Sequence, residues 1–395
     1  MKVVICGAGI GGLALAHQLD ALGWEVVLVE QAPGPREQGY MMDFFGPGYD
    51  AAEAMGVLPR LRELSYQIGE ASYVDDGGRR RAGLDYDQFT RIARGRLISI
   101  MRPDLERALR EHLGGQVDAR FGTSVAEVDN QPDRVRVGLT DGTRLDADLL
   151  VGADGIHSAV RGLVFGAEER FLRYLGLHTA AYTFTDSEIH QRLHGRFCLT
   201  DTLDRQVGLY GLRTGLVAVF TVHRSADPTL PADPRAALRA EYGSLNGIVP
   251  QALAHCPPGE DVYYDQVAQI ELPHWSRGRV TLVGDACYAV SLLAGQGASL
   301  AVAGAYLLAD QLVRTGSVED ALRRYEQLWR PIVTHRQTVA RSVAQWFVPR
   351  SRLRRQVRRT ALHLARLPGA DRFLAAAMIG KPTTVIQDLT QRSPR

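Results

Sequence analysis

Three glycines near the N-terminus, Gly7, Gly9 and Gly12, follow a Gly-x-Gly-x-x-Gly spacing, and Glu30 stands 18 residues beyond the third. Glycines so spaced permit a tight turn, let backbone approach a pyrophosphate, and allow a helix to pack closely on a strand. An acid at that distance can accept hydrogen bonds from the hydroxyls of a ribose. Two more glycine–acid pairs lie downstream. Asp154-Gly155 follows the run Leu-Leu-Val-Gly-Ala, with Ser158 and Arg161 one helical turn onward, and Gly284-Asp285 closes Arg-Val-Thr-Leu-Val. Gly295-Gln296-Gly297 then precedes a stretch rich in Ala and Leu. Together these groups point to dinucleotide binding, although helix capping or turn duty would explain each acid taken singly.

The elements needed to position them are legible. Residues 2–6 are a short apolar run rich in β-branched residues, suited to a buried parallel strand. Residues 13–22 carry helical periodicity and stop at Gly23, and residues 24–29 form a second strand that ends on Glu30. This strand, loop, helix, strand and acid succession suits either NAD or FAD. The Asp141-Gly142 dipeptide predicts a hairpin between residues 134–140 and 143–150, whose second strand would deliver Asp154-Gly155 to a strand end. Gly297 opens a predicted helix over about 298–313. In the middle of the chain, residues 208–212 and 216–223 alternate around Arg213-Thr-Gly215 as a hairpin would, and 262–272 reads as another strand.

Composition bounds the alternatives. The chain has 395 residues, with 46 Lys+Arg against 44 Asp+Glu, a net charge of +2, and 45% hydrophobic content. That is a globular protein of two or three domains, and the near-neutral balance argues against a dedicated nucleic-acid binder. Four cysteines without a Cys-x-x-Cys pair exclude a disulfide scaffold and a cysteine zinc ribbon. His190 and His194 are spaced i, i+4 but lack a third ligand, so no metal is expected. There is no apolar run of transmembrane length, and glycines interrupt the apolar N-terminus too early for a signal peptide, so a cytoplasmic location is expected.

In residues 1–12, 24–30, 96–110, 145–161 and 279–309 the chain resembles the class A flavoprotein monooxygenases, the group of para-hydroxybenzoate hydroxylase and the tetracycline-modifying and aromatic-polyketide hydroxylases. The resemblance implies an α/β fold: a Rossmann-like FAD-binding domain (1–72, 96–172 and 272–335), an inserted β-sheet substrate domain (73–95 and 173–271) and C-terminal helices (336–395). It assigns Glu30 to the ribose, Arg102 to FAD at the start of its helix, Asp154 and Gly155 to both FAD and a nicotinamide cofactor, and Asp285 after Gly284 to the ribityl hydroxyls. The helix opening at Gly295 and Gly297 would face the pyrimidine edge of the flavin, where its partial positive charge stabilises the reduced form. The implied activity is hydroxylation of an apolar, cyclic, polyketide-like or aromatic secondary metabolite through a flavin C4a-hydroperoxide, with NADPH or NADH as reductant. A small-molecule substrate is the only partner implied, with no nucleic acid and no stable membrane insertion, and the oligomeric state stays open. The neighbouring disulfide reductases need a cysteine pair, and the flavin halogenases a Trp-x-Trp-x-Ile-Pro segment; neither is present.

Three positions depart from the family pattern: Tyr288 and Leu292 stand where a His and a Pro usually precede Gly-Gln-Gly, and Ser299 replaces an Asn. They leave room for a redox-neutral cyclase that keeps FAD as a structural element, and for a non-catalytic escort protein of the same fold. Tyr182, Phe184, Phe197, Tyr210 and Phe220 are candidates to line an apolar pocket, and Tyr210, Arg213, His223 and Leu292 are the candidates to face a substrate. Beyond residue 340 the chain reads as an arginine-rich amphipathic helix. A basic amphipathic helix of this kind can touch a membrane or an acidic partner; the favoured expectation is that Leu353, Val357 and Ala361 cover the core while the arginines face water.

Overall fold

A computed structural model describes residues 1–35, 39–75, 77–365 and 383–392. Its centre is a six-stranded sheet in the order Ser276–Arg277, Val280–Leu282, Leu149–Gly152, Lys2–Cys6, Glu25–Glu30, Asp118–Phe121. All pairings are parallel except that of the short edge strand Ser276–Arg277. The central strands are buried on both faces, which is why they read as continuous β-branched runs without alternation. Successive strands lie first on one side of Lys2–Cys6 and then on the other, so the order reverses there. In an open parallel sheet ligands occupy the crevice that such a reversal opens at the carboxyl ends of the strands.

Helix Ile10–Ala21 is apolar almost all round, because it is wedged between the sheet and the long helix Gly297–Arg314. A second sheet has seven strands, in the order Tyr263–Ile270, Leu172–Thr185, Leu216–Arg224, Arg205–Gly211, Arg196–Thr200, Glu70–Val74, Arg80–Asp85. Helices Pro234–Tyr242 and Val249–Ala254 pack on it around Tyr182, Phe184, Leu238 and Leu253. Among the described residues no helix is long and apolar enough to cross a membrane.

Two expectations are corrected. The hairpin at Gly142 forms, with Val135–Leu139 paired to Arg144–Ala147, but its second strand stops at Ala147. At Asp148 the chain leaves the small three-stranded sheet for the parallel one. The Lys2 N–H donates to Asp148 Oδ2 at 2.8 Å and the Asp148 N–H donates to the Lys2 carbonyl at 2.9 Å, so Leu149–Gly152 starts afresh beside Lys2–Cys6.

The C-terminal helix Arg352–Leu364 is turned over. Leu353 is 74% and Val357 51% exposed, whereas Arg358 is buried. Arg358 donates to Asp201 Oδ1 at 2.8 Å and Arg359 to Asp201 Oδ2 at 2.5 Å. The Asp201 side chain has no solvent contact, and a buried carboxylate needs cationic partners, so the ion pairs set the rotation of the helix. The preceding helix, Val318–Phe347, runs unbroken through residue 336, where the C-terminal helices were expected to begin. The remainder of that expected segment, residues 366–382 and 393–395, lies outside the described residues.

Candidate cofactor and substrate site

The three motif glycines answer to different constraints. Gly7 has φ +106°, and a Cβ there would stand 2.4 Å from the Ala153 carbonyl oxygen. A Cβ on Gly12 would stand 1.8 Å from the carbonyl oxygen of Gly7, so only a glycine lets the helix close on the loop. Gly9 is the extended residue before helix Ile10–Ala21, and no side chain caps that helix. The first N–H groups of such a helix are free to bind an anion. Glu30 braces the same loop: its carboxylate accepts from the N–H groups of Ala8 and Ala32, both at 2.9 Å.

At the end of Leu149–Gly152, the Ala153 N–H donates to the Cys6 carbonyl at 2.7 Å, and Gly155 follows at φ +81°. Asp154 accepts from Ser158 Oγ at 2.6 Å and from the Val160 N–H at 3.1 Å, and Ser158 Oγ in turn accepts from the Arg161 N–H at 3.0 Å. Asp154 therefore organises the start of helix Ala159–Val164 while also lining the cleft. Burial raises its carboxyl pKa, and the Ser158 hydrogen bond opposes that rise. Arg161, wholly buried, donates to the carbonyls of Ile156 and Ala286 and to Glu168, at 2.6, 3.0 and 2.6 Å. It rivets the Asp154 loop to the Gly284-Asp285 loop.

Gly284, at φ +65°, precedes the short helix Asp285–Tyr288. The Asp285 carboxylate opens into the cleft and takes no hydrogen bond from any described residue. The protein crowded around it raises its pKa, with the Arg102 cation opposing. Burial works against the charge on Arg102, but Glu106, at 2.7 Å, leads the groups that hold its pKa above the usual value. Over these charges stand Tyr40 and Tyr263, ring centroids 6.1 Å apart, the second from the edge strand of the seven-stranded sheet. Neither phenol makes a hydrogen bond to a described residue, and burial pushes both pKa values up, so each stays a neutral donor.

Gly295, at φ +62°, brings the chain into helix Gly297–Arg314, whose first residue would carry a Cβ 3.6 Å from Asp285 Oδ1. Just before it, Ser291 is held in the left-handed region at φ +103°, a strained position for a residue with a side chain. The three departures take distinct places. Tyr288 is turned into the core, its hydroxyl 3.3 Å from that of Tyr325, while Leu292 lines the cleft. Ser299 Oγ accepts from the Gly48 N–H at 2.9 Å and donates to the Phe45 carbonyl at 2.6 Å, a structural use of the position.

One continuous cleft takes in Gly7, Gly9, Glu30, Arg102, Asp154, Gly155, Gly284, Asp285, Gly295 and Gly297, and also Leu292, while Gly12 packs behind the loop and Ser158, Arg161 and Gln296 lie outside the lining. The donor set fits a flavin dinucleotide: two helix N-termini without side-chain caps for pyrophosphate and pyrimidine, an unpartnered carboxylate for polyol hydroxyls, and a glycine cradle that any Cβ would fill.

The other substrate candidates lie away from the cleft lining. Tyr210 is buried and accepts from the Met41 N–H at 2.6 Å, tying the two-stranded sheet Met41–Phe45 and Leu97–Met101 to the larger one. Arg213 reaches the carbonyls of Glu63 and Leu64 and Asp104 Oδ2, at 3.0, 2.8 and 3.0 Å. His223 is buried against His178, with Tyr242 at 3.1 Å, and burial lowers its pKa to about 4. Tyr182 and Phe184 belong to the core under the helices, and Phe197 and Phe220 pack on Tyr210 and on Tyr40. The segment 39–46, which the family resemblance implies runs close to the flavin, brings Tyr40 and Met42 to the cleft, whereas sequence reasoning missed Tyr263, Asp265 and His157, all of which also line it. His157 lies 2.9 Å from Glu168 and 3.3 Å from Asp265, and the Asp265 hydrogen bond leads the causes that raise its pKa to about 9.

A family model described as an FAD binding domain matches residues 1–341. A protein of Mycobacterium tuberculosis described as uncharacterized is 35% identical over 327 residues, 80% of this chain and 85% of its own. A flavin-dependent monooxygenase from an unknown prokaryotic organism is 30% identical over 361 residues, 88% of this chain and 90% of its own. Among solved structures, the tetracycline destructase Tet(51) superposes with a TM-score of 0.80 at 26% identity, covering 97% of this chain and 99% of its own. Klebsiella pneumoniae HpxO, solved with FAD and uric acid, shares the fold at a TM-score of 0.81 and 22% identity, covering 97% of both chains. With sequence similarity running along nearly nine-tenths of its length, the chain belongs to the FAD binding domain family, among the class A flavin-dependent monooxygenases.

Proposed function

We propose that this enzyme uses NADPH or NADH and dioxygen to hydroxylate a small, largely apolar cyclic compound, and that the residues of the cleft divide the labour as follows. The uncapped start of helix Ile10–Ala21 binds the pyrophosphate of FAD, and Glu30 both braces the loop and accepts from the adenosine ribose. Asp285 accepts from the ribityl hydroxyls, and Arg102, kept cationic by Glu106, balances the phosphates. The start of helix Gly297–Arg314 faces the flavin ring and favours negative charge there. FAD supplies two-electron reduction by a nicotinamide and activation of dioxygen.

Tyr40 and Tyr263 donate hydrogen bonds to a substrate oxygen, while Met42, Val267, Ala268 and Leu292 give the same cleft an apolar lining that keeps water away. The observation that carries this reading is Asp285: a carboxylate held in a protein-lined cleft without a protein donor, beside a helix N-terminus. A ring-shaped substrate is supported by the tetracycline destructase likeness at 26% identity.

The test is anaerobic mixing of the purified, FAD-loaded protein with NADPH and then NADH, alone and with tetracycline or uric acid as ring-shaped probes, following the visible flavin band. Bleaching, with recovery when air enters, is the expected result. A yellow protein that neither nicotinamide bleaches under any of these conditions would replace hydroxylation by a redox-neutral ring closure. A protein that cannot be loaded with FAD would overturn the reading.

A further inference from the structure

Helix Arg352–Leu364 has apolar side chains on both of its sides. Inward, Leu362 packs half-buried beside Phe89 and Tyr73, among polar anchors: Arg358 and Arg359 hold Asp201, Arg358 also donates to the Phe347 carbonyl at 2.7 Å, and His363 lies 3.0 Å from the Arg81 carbonyl. Its outward side carries Leu353, Val357, Thr360 and Leu364, spaced by four, three and four residues, which is a single stripe of an α-helix. Leu353, Val357 and Leu364 are 74%, 51% and 54% exposed. Single exposed leucines are ordinary; three apolar side chains aligned on the water side of one helix are not.

Charge segregates at the same place. Residues 350–365 hold six arginines and no acid in a chain whose net charge is only +2. Three of the six are drawn inward, since Arg355 reaches the Asp201 carbonyl at 3.2 Å and joins Arg358 and Arg359 there. Arg350, Arg352 and Arg354 stay exposed beside the apolar stripe. Trp346, the residue before Phe347, is also 43% exposed. An apolar stripe flanked by cations, with an indole nearby, matches the plane where acyl chains meet anionic headgroups.

We infer that the outward face of helix Arg352–Leu364 is a docking surface for an anionic lipid bilayer, on which the enzyme rests as a peripheral protein. The ion pairs at Asp201 fix the helix with its apolar side outward.

Flotation of the full-length, FAD-loaded protein with vesicles of phosphatidylcholine containing about 30% phosphatidylglycerol tests this, with pure phosphatidylcholine alongside. The wild-type protein should float with the anionic vesicles, and about 1 M salt should release much of it. Leu353→Glu should cut binding by roughly tenfold, the loss expected when one apolar anchor is replaced by an anion. Because the side chain is exposed, the melting temperature and flavin absorbance of the variant should match the wild type. No flotation by the wild type, equal flotation with neutral vesicles, or equal flotation of Leu353→Glu would each overturn the inference. So would a non-floating wild-type dimer that Leu353→Glu converts to monomer, which would give the face to a second copy of the chain.

Discussion

Gly12→Ala sets two physical effects against each other, and the structure decides between them. Gly12 lies inside helix Ile10–Ala21, where alanine is favoured over glycine by about 1 kcal/mol, so propensity alone predicts a more stable protein. Against this, the new Cβ would stand 1.8 Å from the Gly7 carbonyl oxygen, where ordinary contact begins at 3.4 Å. Both atoms belong to backbone, so helix and loop must part by more than 1 Å, and overpacking of this kind costs about 1–3 kcal/mol or more. For a chain of 395 residues the unfolding entropy implies roughly 1.2 °C per kcal/mol. Net of the propensity gain this leaves about 0–2 kcal/mol, a fall of up to about 2.4 °C in the apo protein, with most of the flavin lost because the loop N–H groups leave their places. Gly142→Ala is the control: φ is +86° and nothing lies within 4 Å of its Cβ, so strain alone applies, about 1–2 kcal/mol, at a turn outside the cleft lining. It should melt about 1–2.5 °C lower with flavin content unchanged. Scanning calorimetry with and without FAD, and the flavin-to-protein absorbance ratio, give both readouts. A Gly12→Ala variant that melts higher than wild type and stays yellow would show that propensity prevails and that the contact argument is wrong.

Asp285→Ala should weaken FAD binding by about 10- to 100-fold, the worth of a charge-assisted hydrogen bond, while the apo melting temperature changes little because the carboxylate has no protein donor; equilibrium dialysis against FAD measures it. Asp201→Ala strands Arg358, 1% exposed, without its partner and should cost about 3–5 kcal/mol, seen as a melting shift of about 4–6 °C in calorimetry. The two perturbed histidines should tilt the pH profile of stability in opposite directions. His157, raised to about 9 by Asp265 and then Glu168, contributes stability that is complete below about pH 6.5 and is lost as pH rises through about 9. His223, lowered to about 4 by burial, takes its proton in the unfolded state first, so stability falls as pH drops from about 6.5 toward 4. Melting curves across pH for His157→Gln and His223→Gln should each lose the corresponding slope and keep the other.

Chemistry that is local in sequence could be read, and chemistry assembled across sheets could not. The glycine loop, Glu30, Asp154 and Asp285 sit at strand ends with their turn residues beside them, so spacing alone brings them into one cleft. Tyr40 comes with the segment after the second strand, which the family resemblance brings near the flavin, but Tyr263 and Asp265 reach the cleft from the edge strand of another sheet, and no short pattern marks either. Alternation likewise shows that Tyr210 and His223 belong to strands, but not which face of the sheet looks toward the cleft; both turned out to fasten or fill. The C-terminal helix shows the same limit most sharply. Periodicity finds the stripe of Leu353 and Val357 correctly, and hydrophobic burial would turn it inward. What opposes that rotation is Asp201, some 150 residues away, whose carboxylate would be stranded in the core without Arg358 and Arg359. Leaving a buried charge unpaired costs about 3–5 kcal/mol, comparable to or greater than the worth of burying Leu353 and Val357. The orientation of the helix is thus set by a term at least comparable to that burial, and half of it, Asp201, lies outside the helix's own residues.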